Sequence, residues 1–378
     1  MHICFISNEF PMPNISFGGA GTFLLTYSQL LIKNGHQVSI VGVKNGDEIY
    51  TNINGVSIYY AKKSNVKGFS WYFNLKLISN LINKINVTNK IDILEAQEAG
   101  FAFIDIPKNI KKIVRLHGGH YFFHTFENKK LNWKKALLER ITFRKADAII
   151  ATSKFVQTQT LKFIDFKAKS NTIINNPILV EQFYKSDQNK IIKGSIVFAG
   201  TICEKKGIRQ LCLSIPAIIK LFPEVHLYIY GRDWFFPDGR SYKNWLLGQL
   251  SEEIKSKITF RNPVPYSELP KVYEFAEVCV FPSHMEVQGL VAPEAMSMEK
   301  VVVFTKYGPG PETIDDGVNG FLCEPLKVKS ISDVVVKVLL NRSENRKIEI
   351  SAREKVLKKF SPEIIYNKNL NFYTKLIN

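Results

Sequence analysis

Apolar residues recur along this chain with two periods in turn, short runs of strand length followed by stretches with helical spacing. Residues 2–7 form an apolar strand-length run, 22–33 place Phe23, Leu24, Tyr27, Leu30 and Leu31 on one helical stripe, and 37–43 are a second strand. Further strands are expected at 56–60, 91–94, 112–116 and 148–151, interleaved with helical patterns near 71–86, 131–145 and 154–163. Residues 181–194, EQFYKSDQNKIIKG, are polar and aperiodic, as suits a linker. The alternation then resumes, with strands expected at 195–199, 225–230, 258–260, 278–281, 301–304 and 320–323. The economical reading is an α/β chain of two parallel-sheet, Rossmann-like β/α/β domains, 1–190 and 191–360, with a last helix over 361–378.

Composition narrows the class. At 378 residues, 45% hydrophobic and 12% aromatic, the chain has material for two or three sizeable cores, so disorder is excluded. Five scattered cysteines include no C-x-x-C, which suggests neither a disulfide framework nor a zinc site and fits a reducing cytoplasm. There is no signal-peptide pattern at the start and no run approaching 18 apolar residues, so the chain is expected to be neither secreted nor membrane-spanning. The formal charge is +17 and uneven: residues 1–190 carry 25 basic and 13 acidic side chains, a net of +12, against +5 for the remainder. Such a field attracts nucleic acid, an anionic membrane face or an anionic substrate, although isolated lysines serve equally as a solvated surface.

The candidate chemistry gathers at strand ends. In FPSHMEVQGLVAPEAMSME, residues 281–299, a strand ends in Pro282 and Ser283 and a helix is expected to begin near Gly289 and Leu290, exposing backbone N–H groups that can cradle an anion. Glu286 is expected on the turn and Glu294 about one helical turn inside, both facing one cleft. For two isolated glutamates the plainer reading, an acidic helix start stabilised by the dipole, is favoured. Gly18 and Gly19, in the run from Phe17 to Gly21, follow the first strand where a doubly wound sheet binds ligands. His117 closes another strand in RLHGGH. With His120 and His124 it invites a metal reading, which the lack of a supporting carboxylate or cysteine motif argues against. Gly200 to Gly207, GTICEKKG, follows the first strand of the second half; taken alone, its Lys206 would be a surface lysine.

The 281–299 stretch resembles the signature of family 4 glycosyltransferases, two glutamates separated by seven residues within F-P-S-x-x-E-x-F-G-L-x-x-x-E-A-M. Gln288 stands where the family usually has Phe, and Glu299 and Val301 near its usual Gly and Pro, which is expected to loosen the helix-to-strand turn. GPGPETIDDGVNG, residues 308–320, resembles a second family segment, as do the G-G loop, NGHQVSIVG, ADAIIATS and INNPI of the first half. GTICEKKG resembles G-R-L-x-x-x-K-G, with Thr201 where the family has Arg. A hydroxyl cannot replace the directional fork of a guanidinium, so Lys205, Arg209 or another cation is expected to compensate, or turnover is slow.

This resemblance implies the GT-B architecture of two facing domains, with the last helix crossing back to the first. It implies a retaining hexosyltransferase that takes a nucleotide-diphosphate sugar as co-substrate, with no metal and no other cofactor. Glu286 and His117 would contact the transferred sugar, Lys206 the diphosphate, Glu294 the ribose, and Gly18, Gly19, Thr201, Gly289 and Leu290 the rest of the donor. The acceptor would be a glycan or lipid-linked saccharide, as in cell-surface polysaccharide biosynthesis. Two further readings stay open: a nucleotide-sugar or anionic-ligand binding protein impaired by Thr201, and a nucleic-acid binder, which lacks any recognised motif. The location is expected to be cytoplasmic and peripheral on the inner membrane face, through two basic stretches, 62–76 with Phe69, Trp71, Tyr72 and Phe73, and 129–145 with Leu131, Leu138 and Ile141. Either apolar set could instead pack on the sheet.

Overall fold

The computed structural model describes residues 1–12, 18–127, 130–167 and 169–378. Phe17 of the glycine-rich run and Lys129 of the second basic stretch lie outside the described residues. The chain divides into two units, Met1–Pro177 with Pro362–Asn378, and Ile178–Ser361.

Unit 1 holds strands β1 (His2–Ile6), β2 (Gln37–Lys44), β3 (Ile49–Ile53), β4 (Val56–Lys62), β5 (Ile93–Ala96), β6 (Lys111–Leu116), β7 (Ala148–Ala151) and β8 (Ser170–Ile173). They form one sheet in the order β3-β4-β2-β1-β5-β6-β7-β8, parallel except for the β3–β4 hairpin. Central strands such as β5 and β7 are buried along their whole length, which is why they read as unbroken apolar runs. The two strands missing from the sequence expectation, β3 and β8, are edge strands with mostly exposed residues and so carry no apolar run. Asn54-Gly55, both at positive φ, close the β3–β4 hairpin and were its available signal.

Helices Gly19–Lys33, Ser70–Thr88, Trp133–Lys145 and Lys154–Leu161 fall on the expected patterns, and His120–Glu127 forms an additional one. Unit 2 is wholly parallel: β9 (Ser195–Ala199), β10 (His226–Tyr230), β11 (Ile258–Arg261), β12 (Val278–Phe281), β13 (Val301–Thr305) and β14 (Phe321–Cys323), in the order β11-β10-β9-β12-β13-β14. Because all its strands are parallel, their carboxyl ends lie on one edge, the usual ligand edge of such sheets.

One segment of the chain differs from its polar appearance in sequence. The segment read as a linker belongs to the core of unit 2: Phe183 is fully buried with the rings of Tyr266 and Tyr273 at 5.5 and 6.2 Å, and the Ser186 hydroxyl donates to the Met298 carbonyl at 2.7 Å. One aromatic anchor among polar neighbours was enough to order it, so unit 2 starts at Ile178 instead of near 191. The final helix, Pro362–Ile377, packs within unit 1 through a buried polar network. Arg115 on β6 donates to Glu95 on β5 at 2.6 and 3.1 Å and to Asn369 at 2.7 Å, while the Tyr373 hydroxyl donates to Glu95 at 2.7 Å.

Candidate active site

In unit 2 the site is assembled by loops that glycine allows to touch. After β9, Gly200 turns the chain at φ +151° into a 3-10 turn, Glu204–Lys206, and Gly207 at φ +71° starts the helix Ile208–Ile219. A Cβ on Gly207 would stand 1.9 Å from the Pro282 carbonyl oxygen, so the loop after β9 lies directly on the loop after β12. The His284 N–H donates to the Lys205 carbonyl at 2.9 Å and fastens the two together. This close approach sets Lys206 Nζ 2.5 Å from Glu286 Oε1, which also accepts from the Ser283 hydroxyl at 2.7 Å.

Glu294 lies one turn into the short helix Val291–Ser297 and is buried. Burial pushes its carboxyl up to about 7, against the opposing hydroxyls of Tyr266 and Tyr273; the Tyr266 hydroxyl donates to Glu294 at 2.9 Å. Gly289, at φ +76°, cannot carry a side chain, since a Cβ there would meet the Phe304 ring at 2.6 Å. Leu290 caps the helix. The structure therefore brings Thr201, Lys206, Glu286, Gly289, Leu290 and Glu294 to the strand-end loops of one unit.

Two expectations about departures from the family pattern change. Arg209 does not stand free to replace the missing guanidinium at Thr201, because it forks onto Glu204 with contacts of 2.7 to 3.1 Å. Burial alone would raise the Glu204 carboxyl, but hydrogen bonds from Arg209, Tyr242 and Gln210 hold it down at about 2. Nor is the turn at Glu299 loose. Glu299 sits at φ +57°, where Gly is preferred, and its carboxylate pairs with Arg346 at 2.5 Å and Lys185 at 3.6 Å.

In unit 1 Gly18 caps the helix Gly19–Lys33, and its carbonyl accepts from the Thr22 N–H at 3.0 Å. A Cβ on Gly18 would touch nothing within 4 Å, so packing does not demand glycine there. His117 closes β6 with its ring 5.3 Å from Phe23 of that helix. Burial, and then the charge of Arg115, push the imidazole down to about 3, so it is neutral at physiological pH.

Sequence reading missed the two carboxyls that shape the turn after His117. Glu98 accepts from the Gly118 N–H at 2.7 Å; Glu139 accepts from the N–H groups of His120 and of Tyr121, the latter at 3.1 Å. Burial and the neighbouring Glu139 push Glu98 up to about 8. Its place just past the end of β5 was the signal that could have found it. Glu98, Gly118, His120 and Glu139, with Asn8, Gln97 and Lys135, line a pocket of about 450 Å³ beyond the strand ends. Of the three clustered histidines, His120 accepts from the Asn132 N–H at 2.9 Å, and among the described residues no three His, Cys, Asp or Glu side chains converge as a metal site requires.

Two parallel-sheet α/β units, each with polar residues collected past the carboxyl ends of its strands, define the GT-B class of fold. The chain is a glycosyltransferase of that type: residues 17–182 match the family model described as Glycosyltransferase Family 4, and residues 181–355 the model described as Glycosyl transferases group 1. An uncharacterized glycosyltransferase of Methanocaldococcus jannaschii is 26% identical, over 99% of this chain and 98% of its own. The capsular polysaccharide biosynthesis glycosyltransferase CapM of Staphylococcus aureus is 24% identical, over 64% of this chain and 65% of its own. Among solved structures, HepE of Anabaena in complex with UDP and glucose superposes with a TM-score of 0.76 at 17% identity, over 99% of this chain and all of that one.

Proposed function

We propose that this glycosyltransferase moves a hexose-type sugar from a nucleoside-diphosphate sugar to a hydroxyl of a glycan or lipid-linked saccharide, with retention of anomeric configuration and without a divalent metal. The observation that carries the reading is the Lys206–Glu286 pair at 2.5 Å, held by loops that only Gly207 lets meet. A diphosphate entering beside Lys206 takes over the ammonium, and Glu286 is released to accept from hydroxyls of the donor sugar. Glu294 and Tyr266 hold ribose hydroxyls. Charge that develops on the leaving diphosphate meets Lys206 and the amides of Thr201, Gly289 and Leu290; such preoriented donors contribute about 3 to 4 kcal/mol each. The neutral imidazole of His117, whose ring meets Phe23 of the helix that Gly18 caps, serves a hydroxyl of the transferred sugar without adding charge.

UDP and glucose bound to the similarly folded HepE support a nucleotide-sugar donor, and the likeness to CapM supports a role in cell-surface polysaccharide. The test is a thermal-shift screen of UDP-, GDP- and ADP-sugars followed by transfer or hydrolysis of the labelled hit. A donor at 100 times its dissociation constant stabilises by about 2.7 kcal/mol. No shift with any donor and no hydrolysis overturns the reading. A shift without turnover supports the impaired binding protein instead, which the engagement of Arg209 by Glu204 favours.

A further inference from the structure

We propose that unit 1 carries a docking surface for an anionic lipid bilayer, built by the first turn of helix Ser70–Thr88 and the loop after β5. Phe69, Trp71, Tyr72 and Phe73 are all exposed, Phe69 to 64% and Trp71 to 51%. The loop after β5 adds a fifth ring that the linear stretch does not contain. Phe103, 45% exposed, meets Trp71 edge-on at 5.6 Å, and Trp71 and Phe73 each meet Tyr72 at about 6 Å. Phe103 holds φ at +54°, a conformation rare for an aromatic residue, while Phe101 and Ile104 on either side are buried in the unit. The backbone thus presents this ring outward at a conformational cost, joined through Trp71 and Tyr72 to rings that also lack cover.

Charge selects the partner. Residues 49–91 contain six lysines, 62, 63, 67, 76, 84 and 90, and no acidic residue. Lys62, Lys63, Lys67 and Lys76 flank residues 69–73 in sequence, are exposed, and have no ion-pair partner among the described residues. Aromatic rings set among lysines match the boundary between headgroups and acyl chains, and each basic residue contributes about a fivefold gain in partitioning to an acidic bilayer. The second basic stretch presents no comparable ring cluster: helix Trp133–Lys145 buries Ala136, Glu139, Thr142 and Phe143 instead of the expected stripe, of which Leu138 and Ile141 are half-buried and Leu131 is exposed, and Trp133 is its exposed ring.

The position of the surface ties it to the pocket beyond the strand ends. Trp71 and Ile78 lie seven residues apart on one helix, hence on one stripe, and Ile78 lines the pocket together with Gly100, three residues before Phe103. A bilayer held at the rings brings the headgroup of an amphiphilic acceptor to the pocket mouth. That last step rests on the transferase reading; the docking itself does not.

Co-sedimentation with phosphatidylglycerol–phosphatidylcholine vesicles, compared with phosphatidylcholine alone, tests docking without donor or turnover. The protein is expected to bind the anionic vesicles at 50 mM salt and to be released at 500 mM. Lys62→Glu/Lys63→Glu/Lys67→Glu and, separately, Trp71→Ser/Phe103→Ser should each weaken binding at least tenfold with unchanged thermal unfolding, since all five side chains are exposed. Equal partitioning into both vesicle types, no binding to anionic vesicles at 50 mM salt, or full binding by either variant overturns the proposal. A chain that transfers sugar to a soluble acceptor yet fails this assay loses the docking and keeps its function.

Discussion

The two units are built on the same strand–helix alternation but hold their ligand-edge loops by different means. In unit 2 backbone is pressed on backbone: a Cβ on Gly207 would stand 1.9 Å from Pro282, one on Gly231 1.8 Å from the Gly200 carbonyl, and one on Gly310 1.7 Å from that of Thr305. In unit 1 the loop glycine Gly18 faces open space, and the turn after His117 is held by buried carboxyls, Glu98 and Glu139, with Arg115 and Glu95 behind it. Contacts made by backbone admit few sequences. Contacts made by side chains can be rebuilt with others, so the loops of unit 1 are freer to vary in sequence.

This contrast can be broken or sharpened by mutation. Arg115→Ala should have the largest effect, about 3–5 kcal/mol lost in denaturant unfolding, because Glu95 remains as an uncompensated buried charge. The double variant Arg115→Met/Glu95→Gln should recover much of that loss; if it does not, the network is more than a mutual neutralisation. Gly207→Ala comes next, at about 3 kcal/mol or more from strain at φ +71° and collision with Pro282, whereas Gly18→Ala should stay within about 0.5 kcal/mol. Similar costs at the two glycines would erase the difference between the units.

Glu286→Ala and His117→Ala should each lower transfer by about 10²-fold, with nucleoside-diphosphate affinity changed far less, since both are assigned to the sugar. Affinity that falls as far as turnover would misplace them.

The smallest effect is a pH slope. Glu294 titrates near 7 in the fold and near 4.5 unfolded, so between those values the native state keeps a proton that the unfolded chain has lost, and stability falls as pH rises through this window. Glu294→Gln should remove that slope and exceed the wild type by about 1–3 kcal/mol at pH 8 but not at pH 4. Parallel slopes in urea unfolding at pH 5 to 8 would show that the carboxyl is not strained by burial.

Legibility followed the same divide. Strands of the two sheet centres and the strand-end loops of unit 2 were readable because burial on both faces writes continuous apolar runs, and close backbone approach writes glycines at fixed offsets. Edge strands β3 and β8 escaped because they bury little. The role of Arg115 escaped because its partners are distant in sequence, Glu95 by 20 residues and Asn369 by 254. Phe183 was hidden by polar neighbours, and Phe103 by its separation from the aromatic run it joins. Glu286, Glu294 and Lys206 were named from their motif, but the ion pair between Lys206 and Glu286 was not, since spacing says nothing of which charges meet across two loops.

Lys206 and Glu294 are proposed to hold a nucleoside diphosphate, one through charge and the other through ribose hydroxyls. Calorimetric titration of the nucleoside diphosphate picked out by the donor screen, into the wild type and into Lys206→Ala and Glu294→Ala, measures it most directly. Both variants should bind at least tenfold more weakly while unfolding cooperatively. Wild-type affinity in both folded variants would contradict the account.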